Sequence, residues 1–150
     1  MKLVLQRVQR ATVRIDEQVV GAIQTGLLIF VGAEAGDDEA TAQRLAAKVA
    51  KLRIFADEAG KMNRNITQAQ GAILSVSQFT LLADLHHGNR PSFQAAGDPQ
   101  AAHQVYTAFN EALVAQGLSV ATGQFGADMQ VELVNDGPAT FLLNDRESAQ

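Results

Sequence analysis

A chain of 150 residues, 47% of them hydrophobic, has the size and composition of one folded domain. It contains no cysteine, which excludes disulfides, a thiolate nucleophile and a Cys-based zinc site. Its net charge of −4 argues against a broad nucleic-acid-binding face, though not against gripping one end of an RNA through a few local contacts.

The first residues, Met1 to Arg7, lack the apolar core of a signal peptide, and no apolar run approaches the ~20 residues of a membrane span. The expectation is a cytoplasmic protein with no membrane partner. Lys2 to Ile15 reads as a long strand in which Ala11, Val13 and Ile15 alternate with Thr12 and Arg14. The same parity places Arg7 with Leu3 and Leu5 unless a bulge intervenes, and a charge there needs a partner. Arg7 either snorkels at the rim of a sheet or braces a site; both readings stay open. A turn at Asp16-Glu17-Gln18 leads into a strand from Val19 to Gln24. Gly26 then precedes Leu27 to Val31, an apolar run suited to a strand buried on both faces.

Gly36-Asp37-Asp38 opens a helix with Asp as N-cap, and Ala42, Leu45, Ala46, Val49 and Leu52 form its apolar stripe. Arg53 to Phe55 reads as a short strand, Asp57 to Gly60 as a turn, and Lys61 to Gln70 as polar and irregular. Ala72 to Leu81 is a second buried strand, followed by a long loop from Leu82 to Gly97 of the kind that often carries function. Asp98-Pro99 starts a second helix as N-cap and first-turn proline; its stripe is Ala102, Val105, Tyr106, Phe109 and Leu113, and Gly117 ends it. Strands follow at Leu118 to Thr122 and Asp128 to Asn135. Asp136-Gly137-Pro138 then reads as a tight hairpin turn into a last strand, Ala139 to Leu143, before a polar tail from Asn144 to Gln150. The order of strands, helix, strands, helix, strands describes one α/β or α+β domain over residues 1–150, with 144–150 a flexible tail.

Few side chains offer chemistry. Ser77, Gln78 and Thr80 sit where a buried strand feeds a loop, a position where α/β proteins place ligands. The alternative is polar groups satisfying a strand end. Ser77 lies in no Gly-x-Ser-x-Gly elbow, and nothing fixes His86 or His87 against it. Adjacent histidines on an extended loop point apart, and no His-x-x-x-His spacing exists, so neither a metal nor a cofactor is expected. Arg90 in Gly88-Asn89-Arg90-Pro91-Ser92-Phe93 is either a surface cation or a partner for a carboxylate or phosphate. Gly137-Pro138 has a second reading besides the turn. Gly137 lacks a Cβ, so backbone carbonyls there can approach a ligand closely, and an X-Pro bond reaches cis at a cost of only about 0.5–1 kcal/mol.

Several segments together resemble the D-aminoacyl-tRNA deacylase family. They are Gln6-Arg7-Val8, Arg53-Ile54-Phe55, Gly60-Lys61-Met62-Asn63, Ser77-Gln78-Phe79-Thr80-Leu81, Arg90-Pro91-Ser92-Phe93, Thr122-Gly123 with Phe125, Met129-Gln130-Val131 and Asn135-Asp136-Gly137-Pro138-Ala139-Thr140. The resemblance implies a layered sheet/sheet/helix α/β fold with mixed β-sheets and two main helices. It also implies a homodimer with sites at the subunit interface and a substrate that is the acceptor end of aminoacyl-tRNA, with no DNA partner. In that picture a cis Gly137-Pro138 peptide reaches into the partner's site, its carbonyls exclude an L side chain, and Arg7 locks it in place. Glycine, having no side chain to reject, is also removed when mischarged on alanine tRNA. Ser77, Gln78, Phe79 and Thr80 form the opposing wall, with backbone N–H groups around Gln78 and Phe79 stabilising the oxyanion; the 2′-hydroxyl of the terminal adenosine helps activate water, and no protein nucleophile is used. Phe125 and Met129 help form the adenosine pocket. One departure is His87 before Gly88, where a basic residue often stands. Two other readings remain: a non-catalytic RNA-end-binding module, and a Ser-dependent small-ester hydrolase.

Overall fold

The computed structural model describes residues 1–146. Its elements are β1 (Lys2–Ile15), β2 (Gln18–Ile23), β3 (Gly26–Gly32), α1 (Glu39–Lys51), β4 (Phe55–Ala56), β5 (Met62–Arg64), β6 (Ala72–Ser77), a 3₁₀ turn (Phe79–Leu82), α2 (Pro99–Ala115), β7 (Val120–Thr122) and β8 (Gln130–Asn144). The main sheet runs β2-β1-β3-β6-β7, with β8 added along β1, and β4 and β5 form a separate small hairpin. Strand β3 pairs in parallel with β6, and β6 with β7, while β1 is antiparallel to all three of its neighbours. The sheet is therefore mixed and carries two main helices, as the resemblance implies.

The long first strand serves two cores. Its early residues pair with β3, its late residues with β2, and β8 follows it along nearly its whole length. Leu3 and Leu5 pack with α1 and α2 in one core, whereas Val8, Ala11 and Val13 belong to a second core between the layers of the curled sheet. Two register shifts against β8, between Gln6 and Val8 and between Val8 and Arg10, let the strand exchange faces. Strand β3 is buried on both sides: Leu27, Ile29 and Val31 face the helices, and Leu28 faces the second core. That is why its sequence is a continuous apolar run rather than an alternation.

Both helices start as their sequences predict. The Asp38 carboxylate accepts from the Thr41 backbone N–H (2.8 Å), and the Asp98 carboxylate accepts from that of Ala101 (3.1 Å), with Pro99 in the first turn. The stripe of α1 buries Ala42, Leu45, Ala46 and Val49 against Val105, Phe109 and Leu113 of α2 and the sheet below.

Apart from shifts of one or two residues at strand ends, such as Phe55–Ala56 where the sequence predicts Arg53 to Phe55, three boundaries differ from expectation. Strand β6 ends at Ser77 rather than continuing to Leu81. Its ladder with β3 stops at the pair Val31 and Ser77, the Gln78 N–H closes on the Val31 carbonyl (2.7 Å), and the next residues wind into the 3₁₀ turn. That turn packs over Gly32, where a Cβ would meet Leu81 Cβ at 3.2 Å and the Gln78 carbonyl at 3.3 Å. A second difference is at Gly137-Pro138, which is not a hairpin turn between two strands. Residues Gln130 to Asn144 form one strand lying against β1, and the segment around Gly137 bulges where the register shifts, with a cis Gly137-Pro138 peptide. A continuous partner strand overrides the local Asp-Gly turn signal. The third difference is within Lys61 to Gln70, read as irregular: Met62–Arg64 pairs with Phe55–Ala56. Of the tail read as starting at Asn144, that residue closes β8, Asp145 pairs with Arg44 (2.9 Å), and Arg146 donates to the Ala35 carbonyl (2.5 Å). Residues 147–150, which complete that tail, lie outside the described residues.

At Gly26 the parallel pair leaves no room for a side chain. A Cβ there would lie 1.8 Å from the Ala72 carbonyl oxygen, so β3 and β6 would have to part. Gly26→Ala is expected to destabilise the fold by about 3 kcal/mol or more in urea melts. Gly60→Ala, which meets nothing within 4 Å, is expected to lose only about 1 kcal/mol from its left-handed backbone. Equal losses would show that the contact with Ala72 is not what constrains Gly26.

Candidate active site

At the carboxyl ends of β3 and β6 lies a cavity of about 520 Å³. Its walls come from four segments: Val31 at the end of β3 with Ala33 after it, Val76 to Phe79 from β6 and the 3₁₀ turn, Pro99, Ala102 and Tyr106 of α2, and Phe125 to Met129 in the loop before β8 together with Val131 of that strand. Ala96 and Gly97, from the end of the long loop, complete the rim. The loop itself is closed by a bridge between Asp84 and Ser92 and attached to the residue after Ala33 by a bridge between Glu34 and Ala96. His86 stacks its hydrogen bonds onto Asp84 alone, with the backbone N–H at 2.9 Å and the ring Nδ1 at 2.7 Å, and these hold the Asp84 carboxyl below its usual range. His87 and Arg90 are exposed. Among the described residues no cluster of His, Asp and Glu has the makings of a metal site.

Of the nine residues singled out from the sequence, five line this cavity: Ser77, Gln78, Phe79, Phe125 and Met129. Thr80 stands beside them, its hydroxyl accepting a hydrogen bond from the Gln78 side-chain amide. The backbone donors are sorted by the turn. The Gln78 N–H is committed to Val31, so it is not free for a ligand. The first bond of the 3₁₀ turn is Leu81 N–H to the Gln78 carbonyl (3.2 Å), so the N–H groups of Phe79 and Thr80 precede it and are left without a partner in the turn. Phe79 is 58% exposed and tilts against Phe93 with ring centres 5.0 Å apart.

Arg7, Gly137 and Pro138 form a second cluster. The Arg7 side chain is buried, 8% exposed, and shares the helix-side face with Leu3 and Leu5. Its Nε donates to the Asp136 carbonyl (3.0 Å) and lies 3.1 Å from the Asp136 carboxylate; its terminal nitrogen donates to the Ile54 carbonyl (2.6 Å). A buried guanidinium thus finds its partners in backbone carbonyls, and in doing so it fastens the residue before Gly137. On the far side of the bulge, the Thr140 hydroxyl donates to the Gln6 side chain. Gly137 and Pro138 are exposed. Neither of them lines their own chain's cavity, although the first residues of the same strand β8 reach it through Val131.

Sequence reasoning placed Tyr106 only in the apolar stripe of α2, yet it has a second role in the architecture. Its hydroxyl donates to the Ser75 carbonyl (2.8 Å), its ring lines the cavity, and it tilts against Phe125 at 6.0 Å, while His103 one turn earlier stacks on Phe125 at 4.5 Å. Burial pushes the phenol pKa up, against the opposing hydrogen bonds of Asn110 and Ser75. The Ser75 carbonyl also accepts from the Gly123 N–H (3.2 Å). One backbone oxygen therefore ties α2, β6 and the Phe125 loop together. The sequence signal was a tyrosine in an otherwise wholly apolar stripe, whose hydroxyl had to find a partner.

These features define an α/β protein with a small-molecule cavity at the carboxyl end of its parallel strands and a separate, exposed Gly-Pro segment held by a buried arginine. A family model described as D-Tyr-tRNA(Tyr) deacylase matches residues 4–144. The chain is 56% identical over 144 residues to a D-aminoacyl-tRNA deacylase of Lactobacillus delbrueckii subsp. bulgaricus, covering 96% of this chain and 99% of that one. It is 54% identical over 143 residues to the D-aminoacyl-tRNA deacylase of Shewanella loihica, covering 95% and 99%. Among solved structures it is similar to one titled c-Myc DNA unwinding element binding protein, with TM-score 0.89, 37% identity and coverage of 96% and 98%. A probable eukaryotic D-amino acid tRNA deacylase shares the fold at TM-score 0.84 and 14% identity, with coverage of 95% and 97%. The chain belongs to the D-aminoacyl-tRNA deacylase family.

Tyr106→Phe keeps the ring and removes the hydroxyl. It is expected to cost about 1–2 kcal/mol in denaturant melts, the loss of one buried hydrogen bond. A variant as stable as the parent would show that the Gly123 N–H alone satisfies Ser75.

Proposed function

We infer that this chain hydrolyses the ester bond of D-aminoacyl-tRNA, releasing the D-amino acid and free tRNA. The reading is carried by one observation within a family of such deacylases: the cavity at the end of β6 gathers Ser77, Gln78, Phe79, Phe125 and Met129. Phe125 and Met129 would receive the terminal adenosine. The ester carbonyl would face the backbone N–H groups at Phe79 and Thr80, where donors aimed at the developing oxyanion are worth several kcal/mol. No side chain serves as nucleophile in this mechanism; water attacks, helped by the 2′-hydroxyl of the substrate. Ser77, Gln78 and Thr80 shape that wall.

Selection would come from the main chain at Gly137-Pro138. Their carbonyls would face the α-carbon and exclude an L side chain, so discrimination works by rejection. By the same logic a glycyl ester, including glycine mischarged on alanine tRNA, would not be excluded. Because Gly137 and Pro138 are exposed and do not line their own cavity, the selector would be supplied by a second copy in a homodimer. Exposed apolar side chains at Leu142, Leu85 and Phe79 fit a surface that another copy covers. No helix among the described residues is long and apolar enough to cross a membrane, and the site of action would be the cytoplasm.

D-Tyr-tRNA is expected to be hydrolysed at least about 100-fold faster than L-Tyr-tRNA, some 2.7 kcal/mol of discrimination. Equal inertness, or faster cleavage of the L form, would sink the assignment. Gly137→Ala places a methyl where only the Asn135 side-chain amide, at 2.5 Å, must move aside. It should fold normally and lose at least about 10-fold in kcat/KM toward the D substrate by crowding the selector. Ser77→Ala should have a milder effect; abolition would instead favour a Ser-dependent hydrolase.

The composite site has its own test. A cavity variant, Phe125→Arg, and a selector variant, Arg7→Ala, should each be nearly inactive. Mixed and allowed to exchange subunits, they should recover about a quarter of wild-type sites, because half of the dimers carry one intact pair of walls. A mixture no more active than its components would exclude a shared site.

A further inference from the structure

The chain is acidic overall, yet six of its twelve cations fall within residues 44–64: Arg44, Lys48, Lys51, Arg53, Lys61 and Arg64. Only two acids, Asp57 and Glu58, share that stretch. Three of the cations are occupied locally: Arg44 with Asp145 (2.9 Å), Arg64 with Glu58 (3.3 Å), and Arg53 with the backbone carbonyl and side chain of Asn63 (2.9 and 3.0 Å). Lys48, Lys51 and Lys61 are exposed, and none of their ammonium groups has an acidic partner among the described residues.

The hairpin that carries Lys61 is stiff. The Asp57 carboxylate accepts from the N–H groups of Ala59 and Lys61 and from the Asn63 side chain, which locks the β4–β5 hairpin and, with Asn63 the largest cause, lowers the Asp57 pKa. Lys48 and Lys51 project from the last turn of α1, where cations also complement the helix dipole. Lys61 lies on the hairpin and has no such duty. The connection between the helix that carries Lys48 and Lys51 and the hairpin that carries Lys61 is fastened to the Gly-Pro segment through one guanidinium, since Arg7 donates both to the Ile54 carbonyl between α1 and β4 and to the Asp136 carbonyl. If Gly137-Pro138 meets the aminoacyl group, the segment clamped to it through Arg7 lies beside the nucleotides that lead there.

We propose that the surface carrying Lys48, Lys51 and Lys61 holds backbone phosphates of the tRNA acceptor stem. The proposal rests on the deacylase reading, because that reading makes the Gly-Pro segment a neighbour of the RNA end. Contacts of this kind grip without reading sequence and release counterions, so they make affinity fall with salt.

The test compares D-Tyr-tRNA with the D-tyrosyl ester of adenosine, using wild type and the triple variant Lys48→Gln/Lys51→Gln/Lys61→Gln from 50 to 200 mM salt. Binding of uncharged tRNA is measured alongside by fluorescence anisotropy, which needs no turnover. For tRNA the triple variant should raise KM and Kd about 10-fold and flatten the log–log salt slope by about 2–3, with kcat unchanged. Hydrolysis of the adenosine ester should not change. Lys61→Gln alone, off the helix and so free of any dipole effect, should still raise both constants. Unchanged tRNA binding and slope in the triple variant would overturn the proposal, as would an equal loss on both substrates. If wild type cleaved neither ester while the variants still weakened tRNA binding, the deacylase reading would fall and the RNA surface would stand.

Discussion

A strand of 14 residues that must feed two hydrophobic cores has to change faces somewhere, and the rest of this structure is arranged around the place where β1 does so. Up to Leu5 its apolar side chains meet the helices; from Val8 onward they meet the inner side of the curled sheet. The exchange happens at Arg7 to Arg10, where β8 loses register. It leaves a buried guanidinium at the junction and a slack stretch of backbone opposite it. The guanidinium takes up the slack by binding the Asp136 and Ile54 carbonyls. An isolated buried charge would cost several kcal/mol. Here it instead holds two backbone segments that no strand pairing would have brought to order.

The division between the two cores also explains how the site is distributed. Parallel strands β3 and β6 finish together, and the chain leaving them must turn away; the 3₁₀ turn over Gly32 is how it does so. The result is a polar strand end with spare backbone donors under a roof of aromatic residues from α2 and the Phe125 loop. The Gly-Pro bulge lies outside that lining and is exposed. In the proposed reading neither part alone is a complete site for an ester with a chiral α-carbon, and chemistry that would rely on main-chain atoms has no reason to leave a triad for sequence inspection to find.

Much of this was legible in the residues. The two Asp caps, the two helical stripes, the doubly buried run Leu27 to Val31 and the polar strand end at Ser77 each announce themselves because their physics is local. Arg7 was legible as an anomaly, a charge on an apolar face, although its partners were not. What stayed hidden depended on contacts distant in sequence. Asp136-Gly137-Pro138 carries a strong turn signal, and only the uninterrupted partner β1 makes it a bulge in a continuous strand. Ser77 to Leu81 looks like more strand, and only the end of β3 terminates it. Tyr106 looks like one more core residue until β6 and the Phe125 loop are seen to share its hydroxyl's acceptor.

That shared acceptor limits how the pocket can vary. The Ser75 carbonyl serves both the Tyr106 hydroxyl and the Gly123 N–H, so the floor and one side wall of the cavity hang from a single oxygen atom. Neither can shift without pulling on the other. A cavity built this way widens or narrows as a unit, so room for a bulkier ligand would have to come from its movable edges, the Phe79–Phe93 pair and the long loop behind it. Variation in what the pocket accepts should therefore be written in the rim, with the inner framework held constant.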